Sequence, residues 1–332
     1  MTPTTKPPAV TPSPATAAAD VLERLFYPPL QPYRQHAFEV GDGHRLYVEE
    51  SGSPRGLPVI CLHGGPGSGS GAYLRRFFDP ARYRIIVYDQ RGAGRSEPRG
   101  GLDSNTTHHL IGDLESIRRH LKVDRWLLFG GSWGATLALC YAQTHAHRVL
   151  GLILRGPLLG RQRDLDWFFG TEGVARLFPL EYQHFLSVLP QQGRTQPLAA
   201  YRQLFAGSLQ ERQRAARAWA AWDNTIATGN PKVEKEAPIE RYAIACHYAA
   251  ERFFLPENGI LEQKGKLFEL PATVIQGRND LVCPPEGAAT LVQDWPRAEL
   301  RLTAGAGHLA TDPAIAAELV AATRNFVEAS RL

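Results

Sequence analysis

A short apolar run, Trp126 to Phe129, delivers the chain into Gly130-Gly131-Ser132-Trp133-Gly134 and then into an Ala/Leu-rich segment, Ala135 to Thr144. A G-x-S-x-G pentapeptide in that setting demands a sharp strand-to-helix turn. The serine takes strained backbone angles, and neighbours without side chains let sheet and helix close on the turn. Its hydroxyl is pushed into the open at a helix start, where unpaired N–H groups and the positive end of the helix dipole favour a developing oxyanion. A capping serine in a tight Gly turn would match the same five letters, so the flanks and the remote partners decide between the two.

The flanks repeat along the chain. Val59 to Leu62 is an apolar run ending in His63-Gly64-Gly65-Pro66-Gly67, and Tyr83 to Tyr88 ends in Asp89-Gln90-Arg91-Gly92; each reads as a buried strand entering a Gly-rich loop. Leu110, Leu114, Ile117 and Leu121 define one apolar face of a helix over residues 109–121. After the Ser132 helix, Val149 to Leu154 is strand-like again. Alternating strands and helices predict an α/β fold, a mostly parallel central sheet with helices on both faces.

The alternation stops at about Pro157 and resumes with strands at Ala272 to Gln276 and Glu299 to Leu302, before a last helix from Pro313 to Ala329. The intervening stretch is rich in Arg, Gln, Ala and large aromatics, among them Trp167, Phe168, Phe169, Trp219, Trp222, Phe253 and Phe254. It predicts an inserted helical cap over 157–265, with the catalytic domain formed by 23–156 and 266–332. Residues 1–22, rich in Pro, Thr and Ala, predict a disordered tail. A chain of 332 residues with 43% apolar content has the length and core for this arrangement.

A serine hydroxyl is a poor nucleophile at neutral pH and needs a base, which in turn needs a group that fixes its tautomer. His308 stands in the Gly-rich loop Ala304-Gly305-Ala306-Gly307 after the last strand, and Asp280 ends Gly277-Arg278-Asn279 after the strand before it. Serine, acid, histidine is the chain order of the α/β-hydrolase fold, and all three follow strands at their carboxyl ends, where an open α/β sheet builds its site. Asp79, Asp89 and Asp294 lack that placement. Ser132, Asp280 and His308 are therefore the candidate triad. Gly65, in the loop after an early strand, and Trp133 are the candidate N–H donors to an oxyanion, with Gly64 beside them at the substrate.

Composition narrows the partners. Thirty-seven basic and 33 acidic residues are mixed along the chain without a run of one sign, which argues against nucleic acid. Cys61, Cys140, Cys246 and Cys283 lie far apart, unlike a zinc site or a redox dithiol, and read as free thiols in a reducing compartment; no metal or cofactor is expected. No stretch of about 18 apolar residues suggests a membrane span, so the expected location is cytoplasmic.

These motifs resemble one family, the prolyl aminopeptidases or proline iminopeptidases. The likeness is carried by His63-Gly64-Gly65-Pro66-Gly67, the run from Asp89-Gln90-Arg91-Gly92 to Ser96, the run from Gly130 to Leu139, and Leu154-Arg155-Gly156. The resemblance implies a helical cap and hydrolysis of the bond after an N-terminal proline, without metal or cofactor. It also implies acidic side chains in the cap that hold the substrate amine. One follows a Trp in the family; here Asp223 follows Trp222. Another precedes a His-Tyr pair; here Ala245 and Cys246 precede His247-Tyr248, and Glu251 lies one helical turn beyond His247. The expected substrate contacts are thus Asp223, Glu251, cap aromatics such as Trp219 or Phe253 on the proline ring, and Arg155 positioning the acid or serving a structural salt bridge.

Two rivals stay open at this stage: an amidase or esterase on the same scaffold with altered amine recognition, and a non-catalytic binding protein that keeps the fold. A peptide or small amide or ester is the expected substrate. The cap aromatics suit either a substrate pocket or a contact between copies in a homo-oligomer.

Overall fold

The computed structural model describes residues 14–231 and 233–330. Eight strands form one sheet: β1 (Arg34–Gly41), β2 (His44–Gly52), β3 (Leu57–Leu62), β4 (Tyr83–Tyr88), β5 (Trp126–Gly131), β6 (Val149–Arg155), β7 (Ala272–Gly277) and β8 (Ala298–Thr303). Their order is β1-β2-β4-β3-β5-β6-β7-β8. The β1–β2 and β2–β4 pairs are antiparallel and the others parallel.

Side chains of the central strands alternate between two cores, as strand geometry requires. Ile60, Leu62, Ile86, Tyr88, Leu128, Leu152 and Leu154 join one apolar cluster, while Val59, Cys61, Ile85, Val87, Leu127 and Ile153 join the other. The first is covered by α2 (Thr107–His120), which presents Leu110, Leu114 and Ile117, and by α3 (Trp133–Thr144). The second is covered by α11 (Pro313–Ala329) through Ile315, Leu319 and Val327. Every described element between β6 and β7 is helical: α4 (Gln162–Phe169), α5 (Pro179–Ser187), α6 (Pro197–Ala206), α7 (Leu209–Thr228), α8 (Ile239–Ala250), α9 (Gly259–Glu262) and short 3-10 turns.

Four elements depart from the sequence reading. Residues 14–22, expected in a disordered tail, belong to helix α1 (Pro14–Leu25), whose Leu22 and Leu25 pack on the core beside α11; the rest of that tail, residues 1–13, lies outside the described residues. The hairpin β1–β2 and the short helix α10 (Pro285–Val292) were not read from the sequence. In β2 the apolar pattern is hidden because Glu49 and Glu50 are buried. Glu49 takes two hydrogen bonds from Arg75, at 2.6 and 2.8 Å, and Glu50 is paired with Arg84. Such burial is tolerable only with charged partners, and these come from segments remote in sequence.

Candidate active site

The β5–α3 turn has the strain its sequence implies. Ser132 adopts φ 58° and ψ −126° while half-buried between Gly131 and the first residue of α3. Two flanking glycines are there for space: a Cβ on Gly134 would collide with the backbone of Leu62, and one on Gly131 with the guanidinium of Arg155. The loop after β3 lies against the turn, since a Cβ on Gly64 would stand 3.4 Å from Cβ of Ser132. Trp133 opens α3, so its N–H has no partner within the helix.

Behind this turn the loops after β7 and β8 meet. Asp280, 2% exposed, accepts a hydrogen bond from Nδ1 of His308 at 2.7 Å through Oδ2, and through Oδ1 accepts the N–H groups of Val282 and Cys283 at 2.9 and 2.8 Å. Burial alone would raise its pKa. The charge and hydrogen bond of His308, the Cys283 N–H and the charge of Arg155 together outweigh that and hold the carboxyl below its ordinary value. Nε2 of His308 lies 3.1 Å from Nη1 of Arg155, which also donates to the His308 carbonyl at 2.7 Å. With Arg155 donating to Nε2, the ring proton resides on Nδ1, the tautomer of a general base. Gly156, at φ +49°, has no room for a side chain: its Cβ would stand 2.9 Å from Oδ2 of Asp280.

A second network fixes the loop after β3. Nε2 of the buried His63 accepts the N–H of Gln90 at 3.0 Å, so Nδ1 carries the proton and donates to the Gly64 carbonyl at 2.9 Å. Burial lowers the pKa of His63, against the opposing charge of Asp89, and keeps the ring neutral. The Gln90 amide donates to the His63 carbonyl at 2.9 Å and accepts from Nε1 of Trp133 at 2.8 Å. One side chain thus links the two segments that supply the candidate N–H donors.

Ser132, Gly64, Gly65, Arg155, Trp219, Asp223 and His308 share a cavity of about 390 Å³ that opens between the sheet and the helices inserted after β6. Asp280 stands behind His308, and the Trp133 indole is buried against Phe253 at a centroid distance of 5.7 Å. Glu251 is not brought to this cavity. It caps the end of α8 and pairs instead with Arg202 at 2.6 Å on an exposed face: Arg241, Ala245 and Ala249, spaced four apart, form the side of α8 that lines the cavity, and Glu251, two residues past Ala249, falls on the other side. Among the cavity residues that the sequence reading did not place at the site are Asp164, Arg241 and Cys283. Arg241 could have been suspected from its position four residues ahead of Ala245 on α8, the spacing that puts both on one face. Burial first, then the charge of Asp280, raises the Cys283 thiol well above its usual pKa, so it stays neutral beside the Ser132 hydroxyl.

A strained serine, an imidazole held by a carboxylate, and a sheet that delivers both from strand ends define the class, and a model of the alpha/beta hydrolase fold family matches residues 58–313. The protein is an α/β hydrolase. A proline iminopeptidase of Arabidopsis thaliana is 42% identical over 323 residues, covering 94% of this chain and 85% of the relative. One from Xanthomonas citri is 41% identical, covering 91% and 99%. The chain belongs to the proline iminopeptidase family. Among solved structures, a proline iminopeptidase-related protein from Thermus thermophilus matches with a TM-score of 0.55 at 20% identity, over 90% of this chain and 100% of that one, a likeness of fold.

Proposed function

We propose that the protein is a serine aminopeptidase that releases an N-terminal proline from peptides through an acyl-enzyme. Ser132 attacks the carbonyl of the scissile amide as Nε2 of His308, once Arg155 gives up its hydrogen bond to that nitrogen, takes its proton. Asp280 holds the imidazole and stabilises the imidazolium that forms. The N–H groups of Trp133 and Gly65 receive the oxyanion. His308 returns its proton to the leaving amine, and water, activated by the same imidazole, then releases the acyl group.

In this reading residues 157–265 form a cap that closes over the substrate, Trp219 packs on the proline ring, and Asp223 faces its ammonium. The reaction takes place in the cytoplasm, in keeping with four unpaired, buried cysteines. Among the described residues no helix is long and apolar enough to cross a membrane.

The observation that carries the proposal is the 2.7 Å bond between Asp280 and His308 at the cavity that also holds Ser132, in a chain 42% identical to a protein named proline iminopeptidase. A fluorophosphonate probe should label the wild type and not Ser132→Ala, and the wild type should cleave proline 2-naphthylamide. Labelling that persists in Ser132→Ala would refute the assignment of the nucleophile.

A further inference from the structure

Each described carboxylate that lines the cavity is already paired with a guanidinium. Among the described residues lining it, the carboxylates are Asp164 and Asp223 and the guanidiniums are Arg155 and Arg241. Asp164 is committed to the buried Arg161, accepting from Nη2 at 2.7 Å and from Nε at 3.1 Å, and it also takes the Arg161 backbone N–H at 3.0 Å. Asp223, on α7, accepts from Nη2 of Arg241, on α8, at 3.2 Å. The Arg241 guanidinium lies 5.1 Å from the centroid of the Tyr242 ring, which adds a second contact where it stands. No cavity carboxylate therefore waits without a cation.

We infer that Arg241 is a specificity-determining residue that competes with the substrate's ammonium for Asp223. The inference rests on the hydrolase reading above and deepens it. An ammonium that reaches Asp223 meets a carboxylate whose charge is already balanced, and it meets a like charge within ion-pair distance of the same oxygen. Each effect subtracts from what amine recognition adds to binding. A neutral acyl group of the same shape suffers neither. The substrate class is accordingly broader than free N-terminal proline: cyclic acyl amides without a basic nitrogen are accepted as well, and Arg241 sets how far the amine is preferred. Asp223 and Arg241 are only partly shielded, at 26% and 35% side-chain exposure, so the pair is exchangeable.

The test compares kcat/KM for proline 2-naphthylamide with that for cyclopentanecarboxylic acid 2-naphthylamide, its carbocyclic counterpart. Arg241→Gln should raise the proline-over-carbocycle ratio by roughly three- to fivefold, the upper part of the range a partly exposed charge pair supplies. Arg241→Lys should hold the wild-type ratio within about twofold, because the competing charge remains. Adding Asp223→Asn to Arg241→Gln should abolish the gain. Arg241→Met carries the same expectation as the Gln variant and serves if that variant does not fold. A ratio that is unchanged or lower in Arg241→Gln, or that rises equally in Arg241→Lys, would overturn the inference and leave the hydrolase reading standing. A wild type that cleaves neither amide would overturn both.

Discussion

His308 donates from Nδ1 to Asp280 at 2.7 Å while its Nε2 accepts from Arg155 at 3.1 Å, so the two ring nitrogens are held in different roles by partners from two different strand ends. Asp280 can play its part only as an acceptor, since its other oxygen is taken by the N–H groups of Val282 and Cys283. Asp280→Asn would present an amide N–H to Nδ1 and favour the tautomer with the proton on Nε2, where no base remains. Its kcat should fall by about 10⁴ while KM moves little. Steady-state kinetics on proline 2-naphthylamide, with fluorophosphonate labelling slowed in parallel, checks this; an Asn variant within tenfold of wild type would deny Asp280 its role.

Gln90 joins the loop carrying Gly65 to the turn carrying Trp133 through hydrogen bonds of 2.9 and 2.8 Å. Gln90→Glu keeps the acceptor for the Trp133 indole and replaces the donor to the His63 carbonyl with a repelling oxygen, loosening only the loop side. We expect kcat to drop by about tenfold with a smaller change in KM, the pattern of a lost transition-state interaction. If KM rose with kcat intact, the side chain would serve binding and not the oxyanion.

How much could be read beforehand depended on where a residue's partner lies. The strand-end positions of Ser132, Asp280 and His308 were legible because strand ends are marked by apolar runs stopping at Gly-rich loops, as at Gly130, Gly277 and Gly305. Asp223 was legible as an acid on a helix after β6; its pairing with Arg241 was not, because that contact crosses between two helices whose packing no local spacing encodes. Glu251 failed for a related reason: spacing places it one turn beyond His247, but the cavity side of α8 is the one carrying Arg241, Ala245 and Ala249, and His247 faces the Asn105 carbonyl instead. The hairpin was lost because buried Glu49 and Glu50 imitate a solvated segment until Arg75 and Arg84 arrive from elsewhere.

Glu115 ties α2 to α3. It accepts from Arg118 at 2.7 and 2.9 Å and from the Tyr141 hydroxyl at 2.5 Å, and the Arg118 hydrogen bond, against some burial and with help from Tyr141, lowers its pKa to about 2. A folded pKa below the unfolded value means that the unfolded chain binds the proton more readily as acid is added. The stabilisation is therefore complete above about pH 5 and lost as pH falls toward 2, and with a buried pair of this kind it amounts to about 1–3 kcal/mol. Urea unfolding of wild type and Glu115→Gln should differ by that amount at pH 7, by less than half of it at pH 3, and converge toward pH 2. A gap that stays constant with pH would show that packing, and not charge, is what the substitution removes.

The strain at Ser132 can be measured apart from its chemistry. At φ 58° and ψ −126° a residue with a Cβ sits in a region open mainly to glycine, and the hydrogen bond from the Ser132 N–H to the Arg155 carbonyl at 2.8 Å holds it there. Ser132→Ala removes the hydroxyl and keeps the strain; Ser132→Gly removes both. Both should lose hydrolysis, yet the glycine variant should resist urea more than the alanine variant by about 1 kcal/mol, even though glycine also enlarges the unfolded ensemble. The two opposing effects make the sign informative. An alanine variant equal to or more stable than the glycine variant would mean that the turn relaxes once the hydroxyl is gone, so that the side chain and not the fold imposes the conformation.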